Sequence, residues 1–346
     1  MSRISLVLAL TMALAATSSF AFVGPSLHAP AVRSSRRVRM TMNAVDISSR
    51  MPIEKGSMVA LVTPMKPDGA VDEAQLRSLL QWHVACQTDG IVVLGTTGEA
   101  STLSFDERAR VLDITAEEVK GKIPIVVGTG TIDPRMVVKL TQQARDHGAD
   151  ASLVVTPYYV KPTQKGLISH FGFVAEAVDL PCLLYNVPGR TGSDIKPETA
   201  AEVASKHAGV IGMKEATGDL ARVAAIRSLA GQDFLLYSGD DETGAEFVLQ
   251  GGDGVISVTS NIVPEQMHML MMAALDKDKT RAKAINTPLK LLHQRLFLQA
   301  NPIPVKWALY RMGRMGQAIR PPLTVLEEEF HAPLEEALRA AGVISD

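Results

Sequence analysis

Eight short runs rich in Val, Ile and Leu recur along the chain, at residues 58–62, 91–94, 125–127, 152–155, 182–185, 210–213, 234–237 and 254–258. None alternates between apolar and polar positions. Continuous apolar runs of that length suit strands buried on both faces, as in a parallel sheet. Helical patterns lie between them. Ser104-Phe-Asp-Glu107 is a capping box, followed by Val111, Leu112, Thr115 and Val119 at helical spacing. Asp133-Pro134 opens the next helix, with Val137, Val138, Leu140 and Ala144 inside it, and Pro197-Glu198 opens another. Eight strands alternating with helices predict a (β/α)8 barrel of the TIM type. A doubly wound α/β sheet is the competing arrangement, but no G-x-G-x-x-G follows the first strand.

Beyond about residue 264 the strand pattern stops. Residues 265–346 read as a C-terminal helical extension: a Met-rich helix, one over 280–298, and two more separated by Pro321-Pro322. Met267, Met269, Met271 and Met272 read as gap-filling core.

The first 45 residues read as an address. Met1-Ser-Arg3 is a basic start, residues 4–16 are apolar, and the stretch that follows is rich in Arg, Ser, Ala and Pro. The apolar run is too short to span a bilayer. Five arginines and no Asp, Glu or Lys give residues 1–45 a charge of +5. A signal followed by an acid-free, transit-like segment has the form of a bipartite plastid presequence; plain secretion is the alternative. The organisation expected is therefore 1–45 presequence, 46–264 barrel and 265–346 helical region, with delivery to the plastid stroma and no membrane segment in the mature form.

The whole 346-residue chain has 35 basic and 37 acidic side chains, so the body after residue 45 is acidic, with 30 basic against 37 acidic groups. Without a basic stripe and with only 5% aromatic residues it is a poor partner for nucleic acid. Two cysteines make no disulfide framework. The eight histidines show no metal-ligand spacing, and neither a Walker-type loop nor a nucleophile elbow is present.

Barrels of this type carry their chemistry at the C-terminal ends of the strands. Lys214 ends the sixth apolar run. Desolvation there favours a neutral amine, which forms Schiff bases with carbonyl compounds. A lysine paired with Glu215 or another acid is the structural alternative. Gly95-Thr-Thr-Gly98 offers adjacent amide N–H groups for a small anion. Tyr185 at the end of the fifth run can move protons, and Arg190 after a Pro-Gly turn can grip a carboxylate.

These residues carry a resemblance. Gly95-Thr-Thr-Gly-Glu99, Val155-Thr-Pro-Tyr-Tyr159, Leu184-Tyr-Asn-Val-Pro188 through Arg190-Thr-Gly192, Gly212-Met-Lys-Glu-Ala216, Ser238-Gly-Asp-Asp241, Gly254-Val-Ile-Ser-Val258 and Asn301-Pro-Ile-Pro-Val-Lys306 occur in that order. From about Gly56 onward the chain resembles the dihydrodipicolinate synthase family of pyruvate-dependent lyases and aldolases. The resemblance implies a lyase that condenses pyruvate with L-aspartate-4-semialdehyde, with no cofactor beyond the covalent imine, at the entry to diaminopimelate and lysine synthesis. It implies that Lys214 forms the imine and Tyr185 transfers protons. Thr97 would link Tyr185 to Tyr159, a tyrosine supplied by a neighbouring subunit of a homo-oligomer, dimer or tetramer. Thr96 and Thr97 would hold the pyruvate carboxylate, Ile256 would make a backbone contact to pyruvate, and Arg190 would receive the semialdehyde carboxylate. Sister enzymes, the N-acetylneuraminate lyases and 2-keto-3-deoxy acid aldolases, share Lys214 and Tyr185. A non-catalytic binding barrel is the rival of another class. Where the family commonly holds inhibitory lysine, this chain has Phe105, Ile132 and Met136, so weak or absent inhibition by lysine is expected.

Overall fold

A computed structural model describes Pro52, Ile53 and residues 55–345. The presequence expected over residues 1–45 lies outside the described residues. Eight parallel strands close into one barrel in sequence order. They are β1 (Gly56–Ala60), β2 (Gly90–Val93), β3 (Ile125–Gly128), β4 (Ala151–Val155), β5 (Cys182–Asn186), β6 (Val210–Glu215), β7 (Leu235–Ser238) and β8 (Gly254–Ser257), with β8 pairing back onto β1. Each of the eight apolar runs holds one strand, displaced by two residues at most. The doubly wound alternative is excluded, because its sheet is open.

Alternation within each strand is hidden in sequence because both faces are apolar. Met58, Val92, Val126, Leu183, Tyr237 and Ile256 fill the barrel interior, while Val59, Ile91, Val127 and Val255 face outward into the layer beneath the helices. That layer is built by α1 (Glu73–Ala85), α2 (Phe105–Val119), α3 (Pro134–Asp146), α4 (Gln164–Ala177), the short α5 (Pro188–Thr191), α6 (Pro197–Lys206), α7 (Ala221–Ala230), α8 (Asp241–Leu249) and α9 (Pro264–Leu275). The last of these packs on β1 and α8 and completes the ring, which therefore runs past residue 264. Met267 and Met271 of α9 are fully buried in the core.

The helices start where their chemistry says. Ser104 Oγ accepts from the Glu107 N–H at 3.2 Å, and Glu107 returns a carboxylate to the Ser104 N–H at 2.8 Å. Asp133 caps α3, with Pro134 in its first turn. The single helix expected over 280–298 is broken into α10 (Lys279–Asn286), a 3-10 turn (Thr287–Leu289) and α11 (Lys290–Arg295). Pro288 is the cause: it has no N–H to donate and its ring crowds the carbonyl four residues back. Helices α12 (Ile303–Arg311) and α13 (His331–Ala340) flank Pro321-Pro322 as expected.

At the N-terminal rim, three aspartates lace adjacent strands together. Asp89, just before β2, accepts from Ser57 of β1 at 2.7 Å. Asp150, before β4, accepts from Ile125 of β3 at 2.8 Å, and Asp253, before β8, accepts from Leu236 of β7 at 2.8 Å. The opposite rim is left for the strand-end residues named above.

Candidate active site

Met213 faces outward into the layer under the helices, so its neighbour Lys214 turns into the barrel. There Lys214 is 6% exposed. Across the β5–β6 seam it is registered with Tyr185, and its Nζ lies 4.6 Å from the centre of that ring. Burial pushes the Lys214 amine down to about 8; the negative charge of Asp241 opposes this and the positive charge of Arg190 adds to it. Gly239 gives the lysine its room, since a Cβ there would stand 2.7 Å from Lys214 Cε.

The pairing of Lys214 with Glu215 does not occur. Glu215 points the other way, where it takes a 2.9 Å ion pair from Arg222 and accepts from the Asn186 side chain at 3.1 Å and from the Thr217 N–H at 2.8 Å. Among the described residues no carboxylate forms an ion pair with Lys214, and a buried amine so placed stays nucleophilic.

Tyr185 is half-buried. Burial pushes its phenol up, against the opposing effects of Arg190 and of a hydrogen bond with the Thr96 side chain. The side chain set against Tyr185 is that of Thr96. Thr97 is buried and its Oγ1 accepts from Asn301 Nδ2 at 2.9 Å. Adjacent threonines on a tight turn point in different directions, and residue order alone does not say which faces the phenol.

The turn itself is flanked by strained backbone. Leu94 before it (φ 56°) and Glu99 after it (φ 55°) both adopt left-handed backbone. Among the described residues the Thr97 and Gly98 amide N–H groups find no acceptor, which leaves them free for an anion. Thr63 Oγ1 donates to the Gly98 carbonyl at 2.8 Å and fixes the turn to the end of β1.

Arg190 lies on α5 and is exposed, with Nη2 3.4 Å from the Asn301 carbonyl. Ile256 is buried on β8, inside the barrel. Tyr159 is different. Its backbone is left-handed (φ 70°), its N–H donates to the Thr191 carbonyl at 3.2 Å, and its side chain is 87% exposed. Within one chain it is not brought to Tyr185.

Two features escape sequence reasoning about the site. The buried Lys306 of α12 pairs with the buried Glu99, and Glu99 also accepts from the Arg320 N–H at 3.1 Å. The Asn301 side chain reaches Thr97 from more than two hundred positions away. Lys306 does leave a trace: it is the lone charge within Ile303-Pro-Val-Lys-Trp-Ala-Leu309.

The chain is similar to known proteins over nearly all of its described residues. Residues 54–341 match the model of the Dihydrodipicolinate synthetase family. The chain is 52% identical over 288 residues to a 4-hydroxy-tetrahydrodipicolinate synthase of Thioalkalivibrio sulfidiphilus, covering 83% of this chain and 98% of that one. Among solved structures it is similar to the chloride-inhibited dihydrodipicolinate synthase of Acinetobacter baumannii in complex with pyruvate, with TM-score 0.83, 48% identity and coverage of 85% and 100%. A synthase of Cyanidioschyzon merolae with lysine bound matches with TM-score 0.82, 35% identity and coverage of 85% and 100%. With this barrel, this buried lysine and these relatives, the chain belongs to the dihydrodipicolinate synthetase family and is a lyase of the aldolase-type condensing class.

Proposed function

We propose that the protein is a 4-hydroxy-tetrahydrodipicolinate synthase that joins pyruvate to L-aspartate-4-semialdehyde through an imine on Lys214. The observation that carries this is the buried Lys214 amine, facing Tyr185 and left unpaired because Glu215 is engaged by Arg222 and Asn186. The neutral amine adds to the C2 carbonyl of pyruvate and water leaves. The imine loses a proton from its methyl group and becomes an enamine. The enamine carbon attacks the aldehyde of the second substrate. That substrate's own amine then adds to the imine carbon, closing the ring and freeing Lys214 as 4-hydroxy-tetrahydrodipicolinate departs.

The protein's part is placement and proton transfer. Tyr185 carries protons, with Thr96 as its hydrogen-bond partner. Thr97 and the neighbouring amide groups receive the pyruvate carboxylate, with Ile256 as a backbone contact. Arg190 receives the semialdehyde carboxylate. Tyr159, exposed on its own chain, serves the site of a second copy, so the active form is a homo-oligomer. No further cofactor enters this scheme. Residues 1–45 act as a presequence that directs the mature protein to the plastid. Their acid-free composition supports this, as does the family match beginning only at residue 54. This step would open diaminopimelate and lysine synthesis.

The test is direct. The protein from Asp46 onward, mixed with both substrates, should consume them one to one. Lys214→Ala should abolish consumption and Arg190→Ala should weaken it through the semialdehyde KM. Pyruvate trapped on Lys214 by borohydride without loss of the semialdehyde would redirect the reading to the sugar-acid aldolases.

A further inference from the structure

We propose that Asn301 is the positioning residue that aims the Thr97 hydroxyl at the pyruvate carboxylate. This deepens the reading of Lys214 as the imine-forming lysine and rests on it. Asn301 comes from the C-terminal region and is 7% exposed. Its Nδ2, which can only donate, stands 2.9 Å from Thr97 Oγ1. The Thr97 oxygen therefore accepts, and its single proton must leave in another direction. Among the described residues no acceptor takes that proton. Thr63 shows the contrasting case, in which a hydroxyl gives its proton to the Gly98 carbonyl at 2.8 Å and has none left to offer. The Thr97 hydroxyl is the one kept available, on the turn whose Thr97 and Gly98 amide N–H groups are also free.

A second observation separates Asn301 from an ordinary packing residue. Its Oδ1 is buried and has no hydrogen-bond partner among the described residues. A buried unsatisfied acceptor is costly, and a purely structural site would favour a residue without one. Asn301 is also held at a fixed distance from the turn. The Lys306–Glu99 ion pair, with side chains 2% and 1% exposed, ties its segment to the residue that ends the turn. The backbone carbonyl of Asn301 meanwhile accepts from Arg190. The side chain thus addresses one carboxylate site and the main chain the other.

That division sets the experiment. Steady-state KM for each substrate, kcat, melting temperature and the yield of borohydride-trapped pyruvate are measured for wild type, Asn301→Ala, Asn301→Asp, Thr97→Val and the Asn301→Ala/Thr97→Val double variant. Asn301→Ala is expected to raise the pyruvate KM by about tenfold with kcat nearly unchanged. The semialdehyde KM should stay, because the contact to Arg190 is made by the main chain. Asn301→Asp should be worse, since a carboxylate takes the Thr97 proton and repels the substrate. In the Thr97→Val background the Asn301 change should add nothing. If Asn301→Ala does not fold, Asn301→Ser replaces it, since serine is too short to reach Thr97. Additive effects in the double variant, or a fall in kcat with both KM values steady, would overturn the proposal. An adduct in wild type with an unchanged pyruvate KM in Asn301→Ala would overturn it alone. Absence of any adduct in wild type would overturn the reading of Lys214 and this one together.

Discussion

In the proposed reaction Lys214 serves because it is misplaced by ordinary standards. An ammonium in the barrel costs hydration, and burial takes its pKa to about 8. Two predictions follow from the sign of that shift. The proposed imine forms from the neutral amine, so the rate of pyruvate trapping at low pyruvate should climb as pH rises toward about 8 and then level. A rate flat from pH 6 to pH 8 would contradict it. The second concerns stability. A lysine in the unfolded chain titrates near 10.4. Between the two values the unfolded chain binds more protons than the folded one, so stability rises with pH there, and the full penalty applies below about 8. Lys214→Met should therefore stabilise the protein by about 1–3 kcal/mol at pH 7, with the gain fading above about pH 10. Urea titrations of variant and wild type at both pH values check this. The lysine was legible in sequence because it ends an apolar run. Which of Thr96 and Thr97 faces Tyr185 was not legible, since turn geometry rather than residue type decides it.

Among the elements, the strands are legible in the sequence for a physical reason. Each is buried on both faces, so each appears as an unbroken apolar run between polar helices and turns. Helix starts were legible where a side chain replaces the missing backbone partner, as at Ser104 and Asp133. The break at Pro288 is masked in the sequence because the apolar spacing continues through it. What no periodicity carries is the link from α12 to the Gly95–Glu99 turn, since Lys306 and Glu99 meet only after the chain has circled the barrel. The capping box gives a prediction at this scale. Ser104→Ala should cost about 1 kcal/mol by urea unfolding. Its N-cap is more than local, because Glu107 also pairs with Arg320. That guanidinium hydrogen bond, with the Ser104 N–H adding to it, holds the Glu107 carboxyl down at about 2. This contribution is complete above the usual carboxylate range and is lost as pH falls through about 2.

For the whole molecule, the exposed positions set the expectations. Phe105, Ile132 and Met136 are 51%, 37% and 43% exposed and carry no charge. An ammonium ligand needs carboxylate or carbonyl partners to leave water. Turnover should accordingly be unchanged at millimolar lysine, and half-inhibition at or below that level would refute the expectation. Tyr159 leads in another direction: if a second copy uses it, Tyr159→Phe should lower kcat without moving the melting temperature. The laced N-terminal rim has a consequence of its own. Asp89, Asp150 and Asp253 hold strand pairs in register at the end remote from Lys214. A closed ring offers no free edge along which a strand can slip. Diversification of the turns after β2, β4 and β5 can then proceed while the barrel keeps its alignment; on the proposed chemistry, such variants are a starting point for selecting catalysts with new aldehyde partners.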